Sequence, residues 1–320
     1  MGEVIQVESV VREFTHRTGR FGRARMRAID GVSLTLSGGE CVGVVGESGC
    51  GKSTLARMMV GLEPPTSGRV LHRSEPVTTS QHWRAVRRSV QYVFQDPYGS
   101  LPPRMSIGAL LQDVLRLSGV HDPDERRHNA VRALELVGMR SSDLDRRPAS
   151  FSGGQRQRIG IARALAIKPE ILILDEVTSG LDVSIQAQVL NLLMELRQTT
   201  QAGYMFISHD LRVVNLLADR VCVMYLGMVV EAGSTASVFT EPQHPYTQGL
   251  LKSIPDHVRL IEGTQSSHLA WIDGEPPART DQLRGCPFAS RCERVQAKCT
   301  EELPSEAVVG GSVVRCHFPG

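Results

Sequence analysis

The run Gly46-Glu47-Ser48-Gly49-Cys50-Gly51-Lys52-Ser53 constrains the fold more than any other part of the chain. It follows a short apolar run, CVGVV at 41–45, and opens an apolar-periodic stretch, LARMMVGL. The first reads as a buried strand and the second as a helix, ended by Gly61, Pro64 and Pro65. Two glycines separated by four residues and followed by Lys and Ser form the phosphate-binding loop pattern, and a preceding strand and following helix are the context it requires. The glycines let backbone N–H groups wrap phosphate oxygens at a helix N-terminus, where the dipole also favours an anion. Gly46, Ser48, Gly49, Gly51, Lys52, Ser53 and Thr54 are therefore the expected phosphate set. Lys52 is suited to the β- and γ-phosphates of a nucleotide, and the Ser53 hydroxyl to Mg²⁺.

The rest of the chain is consistent with that start. Further strands are expected at 90–94, 171–174, 204–207 and 221–224, with helices between them at about 124–137, 154–167, 183–198 and 210–218. Alternation of this kind predicts a parallel sheet covered on both faces. Beyond about residue 255 the pattern weakens and prolines are scattered among polar residues, so 255–320 reads as a small C-terminal extension. With 36 basic and 34 acidic residues, the charge balance gives no reason to invoke nucleic acid as a partner. The N-terminus lacks the pattern of a secretory signal, and no apolar stretch approaches the ~18 residues that span a bilayer.

Two further motifs follow the loop. ILILDE ends an apolar strand with Asp175 and Glu176. An acid at the tip of a buried strand is costly unless it serves a metal or a reaction. Asp175 suits Mg²⁺, and Glu176 suits a general base that polarises an attacking water. Just upstream, Ser152-Gly153-Gly154-Gln155 precedes the helical pattern RQRIGIARALA, which reads either as a second anion site or as an ordinary N-cap with a solvated basic face.

The order phosphate loop, SGGQ, then DE resembles the ATP-binding subunits of ABC (ATP-binding cassette) proteins over roughly residues 4–250. The resemblance implies an α/β fold: a P-loop NTPase cassette over 1–254, with a parallel-sheet core, an antiparallel β subdomain and a helical subdomain at about 96–165. It implies ATP and Mg²⁺ as cofactors. It makes Gln95 the glutamine that senses Mg²⁺ and γ-phosphate, His209 the switch histidine, and Asp182 the aspartate at the interface between cassettes. Phe14 is the expected adenine-stacking aromatic and Phe21 the alternative. In this family two cassettes pack head to tail, so Ser152, Gly153, Gly154 and Gln155 would meet ATP held by the partner, and a lone chain would hydrolyse poorly.

The stretches GVVGESGCGKSTLARMMVGLEPPTSG, DEVTSGLDVSIQAQVLNLL and HPYTQGLLKSIP resemble the oligopeptide/dipeptide/nickel importer branch, as does GCPFASRC with the cysteines after it. The lead-in VREFTHRTGRFGRARMRAIDG resembles the second of the two ATPase types that such importers pair. That resemblance implies a heterodimer with a second cassette, two integral-membrane permeases and an extracytoplasmic solute-binding protein, at the cytoplasmic face of the inner membrane. Peptides are the expected cargo, with nickel, glutathione or another small solute as alternatives; a non-transport ATPase and an exporter ATPase, the latter disfavoured by the C-terminal extension, are the rival readings. Two positions depart from the branch: Val177 where proline is usual, and Gly180 where alanine is usual.

Seven cysteines argue against a disulfide framework. Cys41 and Cys222 read as small core residues. Cys50 is expected to be partly exposed and oxidisable. Cys286, Cys292, Cys299 and Cys316 cluster near the C-terminus, where four thiolates suit a 4Fe–4S cluster, tetrahedral Zn²⁺ or, failing both, free thiols. His317 is a possible substitute ligand. Because these residues lie far along the chain from every expected ATP ligand, a structural clasp is the expected role.

Overall fold

The computed structural model describes residues 2–18, 22–96, 98–254, 274, 277 and 284–320. In chain order its first elements are β1 (Glu3–Thr18), β2 (Gly22–Ser37), β3 (Cys41–Val45), α1 (Lys52–Met59), β4 (Ser67–His72), β5 (Glu75–Pro76), α2 (Ser80–Ser89) and β6 (Val90–Val93). Three helices follow, α3 (Ile107–Ser118), α4 (Pro123–Leu136) and α5 (Gly153–Leu165). Next come β7 (Ile171–Asp175), α6 (Val183–Thr200), β8 (Gly203–Ile207), α7 (Leu211–Leu217), β9 (Arg220–Tyr225) and β10 (Met228–Ser234). The described chain ends with α8 (Thr235–Thr240), α9 (Pro245–Lys252), α10 (Ala297–Glu301) and a hairpin of β11 (Ala307–Val309) and β12 (Ser312–Val314).

These elements form two compact units that interleave in sequence. The first comprises Met1–Gln6, Thr35–Glu40 and Leu71–Phe206. Its sheet runs β8-β7-β6, with β6 and β7 parallel from Val90↔Ile171 to Val93↔Leu174. Every residue of β7 is buried, as expected of a parallel strand covered on both faces. The helical region is well signposted locally. Ser106 caps α3 by accepting from the Ala109 N–H, and Gly119 ends it at φ 106°. Asp122 caps α4, with Pro123 at the first helical position, where no N–H is needed. Helices α3, α4 and α5 fall within the region expected to be a helical subdomain.

The second unit comprises Val7–Leu34, Cys41–Val70 and Ile207–Gly320. Its main sheet runs β11-β12-β10-β9-β3. Strands β3 and β9 pair in parallel, whereas β9–β10, β10–β12 and β11–β12 are antiparallel. The sheet is therefore mixed rather than all parallel, because the C-terminal hairpin adds strands that need no crossover. Within this unit β2, β1 and β4 also lie side by side. Helix α7 packs onto β3 so closely that a Cβ on Gly43 would stand 2.4 Å from Val214 Cγ1. Among the described residues no helix is long and apolar enough to cross a membrane.

Candidate active site

The phosphate loop lies wholly in the second unit. Gly46 has φ 148°, and a Cβ there would stand 2.2 Å from the Met224 carbonyl oxygen and 2.8 Å from Cys50 Sγ. Gly51, at φ 113°, precedes α1 without a side-chain cap, at a helix N-terminus of the kind that suits an anion. Lys52 is 4 % exposed and donates to the carbonyls of Gly46 (2.8 Å) and Glu47 (3.0 Å), so its ammonium is held inside the loop. Ser53 and Thr54 follow in the first turn of α1. Cys50 is 3 % exposed, against the expectation of a partly exposed thiol: its side chain turns inward beneath Gly46. Cys41 and Cys222 are buried in β3 and β9, and burial pushes the Cys222 thiol up to about 12.

The first unit brings together a second group. Gln95 Nε2 donates to Glu176 Oε2 at 2.8 Å, so the expected sensor and the expected base are in direct contact. Asp175 is 1 % exposed and accepts from the Tyr92 hydroxyl, a partner that sequence reading did not find. The only signal was that Tyr92 lies within the apolar run 90–94 and Asp175 ends the run that pairs with it, 171–175. Glu176 adopts φ 46°, rare for a residue with a Cβ, and its carbonyl accepts from Ser179 N–H (3.0 Å) and Oγ (2.8 Å). This turn absorbs both departures from the branch. Val177 is 1 % exposed, and Gly180 takes φ 72° with open space around it. Neither is an expected ligand.

In the same unit Ser152 caps α5. Its Oγ accepts from Gln155 N–H at 3.4 Å, and Gln155 Oε1 accepts from Ser152 N–H at 3.1 Å, a reciprocal capping box. The two glycines between them differ in what they allow. A Cβ on Gly154 would stand 2.3 Å from Ile185 Cγ2, so that glycine lets α6 approach. A Cβ on Gly153 would meet nothing nearer than 3.7 Å, so space does not require glycine there. The recess beside the cap is lined by Arg140, Arg146 and Arg158 together with Ser152, Gly154 and Gln155; Asp143 also lines it and pairs with Arg146 at 2.8 Å, and the arginines in excess leave a net positive surface. Asp182 caps α6; the backbone N–H of Ile185 and the Ser184 hydroxyl hold its carboxyl below the usual range.

The remaining expected residues lie in the second unit, except Phe21, which lies outside the described residues. His209 is exposed, just after Ser208, whose N–H donates to Val44 O, and just before Asp210, which caps α7. Phe14 is half-buried with the Arg12 guanidinium 4.7 Å from its ring centroid.

The HPY stretch has a defined job in this unit. Glu231, fully buried, accepts from the N–H groups of Gln243 and His244, both at 2.9 Å. His244 Nδ1 caps α9 by accepting from Tyr246 N–H at 3.0 Å, and Pro245 takes the first helical position. Tyr246 then places its hydroxyl against Glu47 of the phosphate loop, accepting from the Glu47 N–H at 3.0 Å. Burial, with a smaller contribution from Arg294, lowers His244 to about 3. Its folded-state value lies below the ordinary 6.5, so its contribution is fully present above pH 6.5 and is lost as pH falls from there toward 3. Between pH 6.5 and 5 this group alone costs about 2 kcal/mol. Denaturant unfolding at pH 7 and 5 checks it: the wild type loses about that much more than His244→Asn, which keeps a capping acceptor without the titration.

The four C-terminal cysteines converge. Cys286, Cys292, Cys299 and Cys316 line one small cavity with His244, Phe288 and His317. Among the described residues, however, no group of three or more His, Cys, Asp or Glu side chains stands close enough to hold a metal ion. The expected four-ligand set is thus gathered at one cavity but not closed as a metal site, and this holds alike for the expected 4Fe–4S cluster and for Zn²⁺. Burial pushes the Cys286 thiol up to about 11, with Cys316, Cys299 and Cys292 adding to it, and burial also raises Cys292 and Cys316. Raised thiols are poor nucleophiles, so the arrangement does not favour reactive free cysteines. The same segment carries Arg291, whose guanidinium pairs with both carboxylate oxygens of Glu47 at 3.0 Å. Burial works against that charge, but hydrogen bonds to Glu47 and Tyr225 outweigh it and hold Arg291 above its ordinary value.

A capless glycine loop closed on a buried lysine, a strand ending in a buried aspartate and a glutamate, and a capped Ser-Gly-Gly helix define a P-loop nucleoside triphosphatase of the cassette type. Comparison with known proteins narrows the class. Residues 29–179 match the family model described as ABC transporter, and residues 230–299 match the oligopeptide/dipeptide transporter C-terminal region. The chain is 42 % identical to the dipeptide transport ATP-binding protein DppF of Escherichia coli, over 98 % of this chain and 93 % of that protein. It is 41 % identical to the oligopeptide transport ATP-binding protein AppF of Bacillus subtilis, over 98 % and 97 %. Among solved structures, CbiO1 from Clostridium perfringens, part of an ABC transporter complex, shares 31 % identity at TM-score 0.63, covering 75 % of this chain and 92 % of that one. A dimer of the ATP-binding cassette MJ0796 bound to ADP and Pi gives TM-score 0.63 at 26 % identity, covering 72 % and 98 %. The chain belongs to the ABC transporter ATP-binding proteins, in the group that carries the oligopeptide/dipeptide C-terminal region.

Proposed function

We propose that the chain is the ATP-hydrolysing subunit of a membrane importer for oligopeptides or dipeptides, working with two permease subunits and a solute-binding protein. The observation that carries the cargo assignment is the match of residues 230–299 to the oligopeptide/dipeptide C-terminal region, joined to full-length relatives named for peptide transport. Gly46, Ser48, Gly49, Gly51, Lys52, Ser53 and Thr54 hold the ATP phosphates, with Phe14 on the adenine. Ser53, Gln95 and Asp175 hold Mg²⁺, which neutralises charge on the phosphates when bound. The donors fit a hard cation, being a hydroxyl, an amide oxygen and a buried carboxylate. Glu176 takes a proton from the attacking water, and His209 contacts the γ-phosphate.

The signature residues Ser152, Gly153, Gly154 and Gln155, with Asp182, face ATP held by a second cassette, and the exposed N-cap beside an arginine-lined recess supports this assignment. A distinct partner cassette makes the dimer a heterodimer, at the cytoplasmic face of the inner membrane. The experiment is affinity purification from membranes followed by uptake in proteoliposomes. Co-purification with two permeases and ATP-driven uptake of a labelled dipeptide support the reading. Uptake of nickel or glutathione instead would reassign the cargo, and recovery on ribosomes or DNA would sink the importer.

The four C-terminal thiols hold a 4Fe–4S cluster in this reading. Support comes from their convergence on one cavity. Protein purified anaerobically should contain about four irons and four sulfides per chain, with the visible absorption of a cluster. Colourless, metal-free protein would remove the cluster, and one zinc per chain would replace it.

A further inference from the structure

Glu47 of the phosphate loop is engaged through both its backbone and its side chain. Its N–H donates to the Tyr246 hydroxyl at 3.0 Å, and its carbonyl accepts from Lys52 Nζ at 3.0 Å and from Cys50 N–H at 3.1 Å. Its carboxylate lies in the fork of Arg291, Nη1 on Oε2 and Nη2 on Oε1, both at 3.0 Å. Two parallel charge-assisted bonds of this kind fix orientation as well as charge. The pair is sheltered: the Arg291 side chain is 6 % exposed and that of Glu47 24 %. Behind it stands an aromatic wall. Arg291 Nη1 donates to the Tyr225 hydroxyl at 3.3 Å, and the Tyr225 ring lies 4.7 Å from Tyr246 and 5.3 Å from Phe288. Phe288 and Arg291 belong to the short loop between Cys286 and Cys292.

We propose that Arg291 is a positioning residue for ATP: from the cysteine-bearing segment it braces the phosphate loop and neutralises Glu47. A loop that wraps a polyphosphate is a poor place for a free carboxylate, because like charges in a partly buried site repel with little screening. The arginine removes that repulsion and, with Tyr246, holds the Glu47 peptide so that its N–H points away from the phosphate cradle. The segment that the cysteines gather is thereby tied to nucleotide affinity.

This inference rests on the ATP-binding reading above. The experiment measures MgATP dissociation constants on the full chain, as wild type, Arg291→Met, Glu47→Gln, the double variant and Arg291→Lys. Arg291→Met is expected to weaken MgATP about tenfold, more at low than at high salt. The double variant is expected to recover to within about threefold of wild type, since removing the carboxylate removes the repulsion. Arg291→Lys, which keeps the charge but not the fork, should fall between. A merely structural arginine would move the melting temperature without that recovery or salt dependence. Arg291→Met binding as wild type does, or losing as much affinity with Glu47→Gln present as without it, overturns the proposal. If Arg291→Met does not fold, the double variant against Glu47→Gln and Arg291→Lys against wild type carry the same test. Wild type that fails to bind MgATP would overturn the nucleotide reading itself, which keeps the two failures apart.

Discussion

Glu176→Gln is expected to lower ATP hydrolysis by roughly 10³-fold while leaving MgATP bound. The substitution is nearly isosteric and spares the backbone: glutamine accepts φ 46° as readily as glutamate, and the carbonyl keeps its bonds from Ser179. What disappears is the basic oxygen that Gln95 Nε2 now orients at 2.8 Å. An amide can still pair with Gln95 but cannot accept a proton from water. Steady-state phosphate release, measured beside MgATP binding on the same preparation and with the partner cassette present, separates the two effects. Turnover within tenfold of wild type would move the general base elsewhere. Loss of binding in step with turnover would make Glu176 a ligand rather than a base.

The second large effect concerns the backbone of the loop. Gly46→Ala is expected to destabilise the chain by about 3 kcal/mol or more and to abolish MgATP binding. At φ 148° only glycine is comfortable, and the new Cβ would stand 2.2 Å from the Met224 carbonyl oxygen, a backbone atom that cannot swing aside. Gly49→Ala is the informative control. Gly49 also has a positive φ, 75°, but the methyl of an alanine there would meet nothing within 4 Å, so only conformational strain remains, about 1 kcal/mol. Denaturant melts of both variants check the contrast. Equal losses would mean that strain alone, and not contact with β9, governs the loop.

How much of this was legible beforehand follows from how far apart the interacting residues lie. The phosphate loop is contiguous, and its chemistry is carried by backbone geometry that glycine spacing announces, so Gly46 to Thr54 could be read directly. Strands β3, β7, β8 and β9 are buried apolar runs and were legible to within a residue or two. The 16-residue strands β1 and β2 were not, because their apolar and polar residues follow no clean alternation and they turn through Ser9 at φ 45° and Gly31 at φ 67°. The C-terminal hairpin escaped for a different reason: β11 and β12 are three residues each, too short for any period to show.

In the site, Gln95 and Glu176 were nameable from their motifs, but their contact was not, since it spans 81 residues. The pairing of Arg291 with Glu47 spans 244. Distance along the chain suggested that the cysteine segment was remote from nucleotide chemistry, and the fold reverses that. Cys50 shows the same limit in miniature: a loop position reads as exposed, yet the turn at Gly46 folds its sulfur inward.

The most direct test of a site completed by a second subunit is ATP turnover of the purified chain alone and again with its partner cassette and permeases in proteoliposomes. Slow hydrolysis by the lone chain and strong stimulation on assembly are expected, further raised by peptide-loaded binding protein, because in the proposed assembly Ser152 to Gln155 complete a site on another subunit. Full activity from the lone chain, unchanged by any partner, would contradict that central claim.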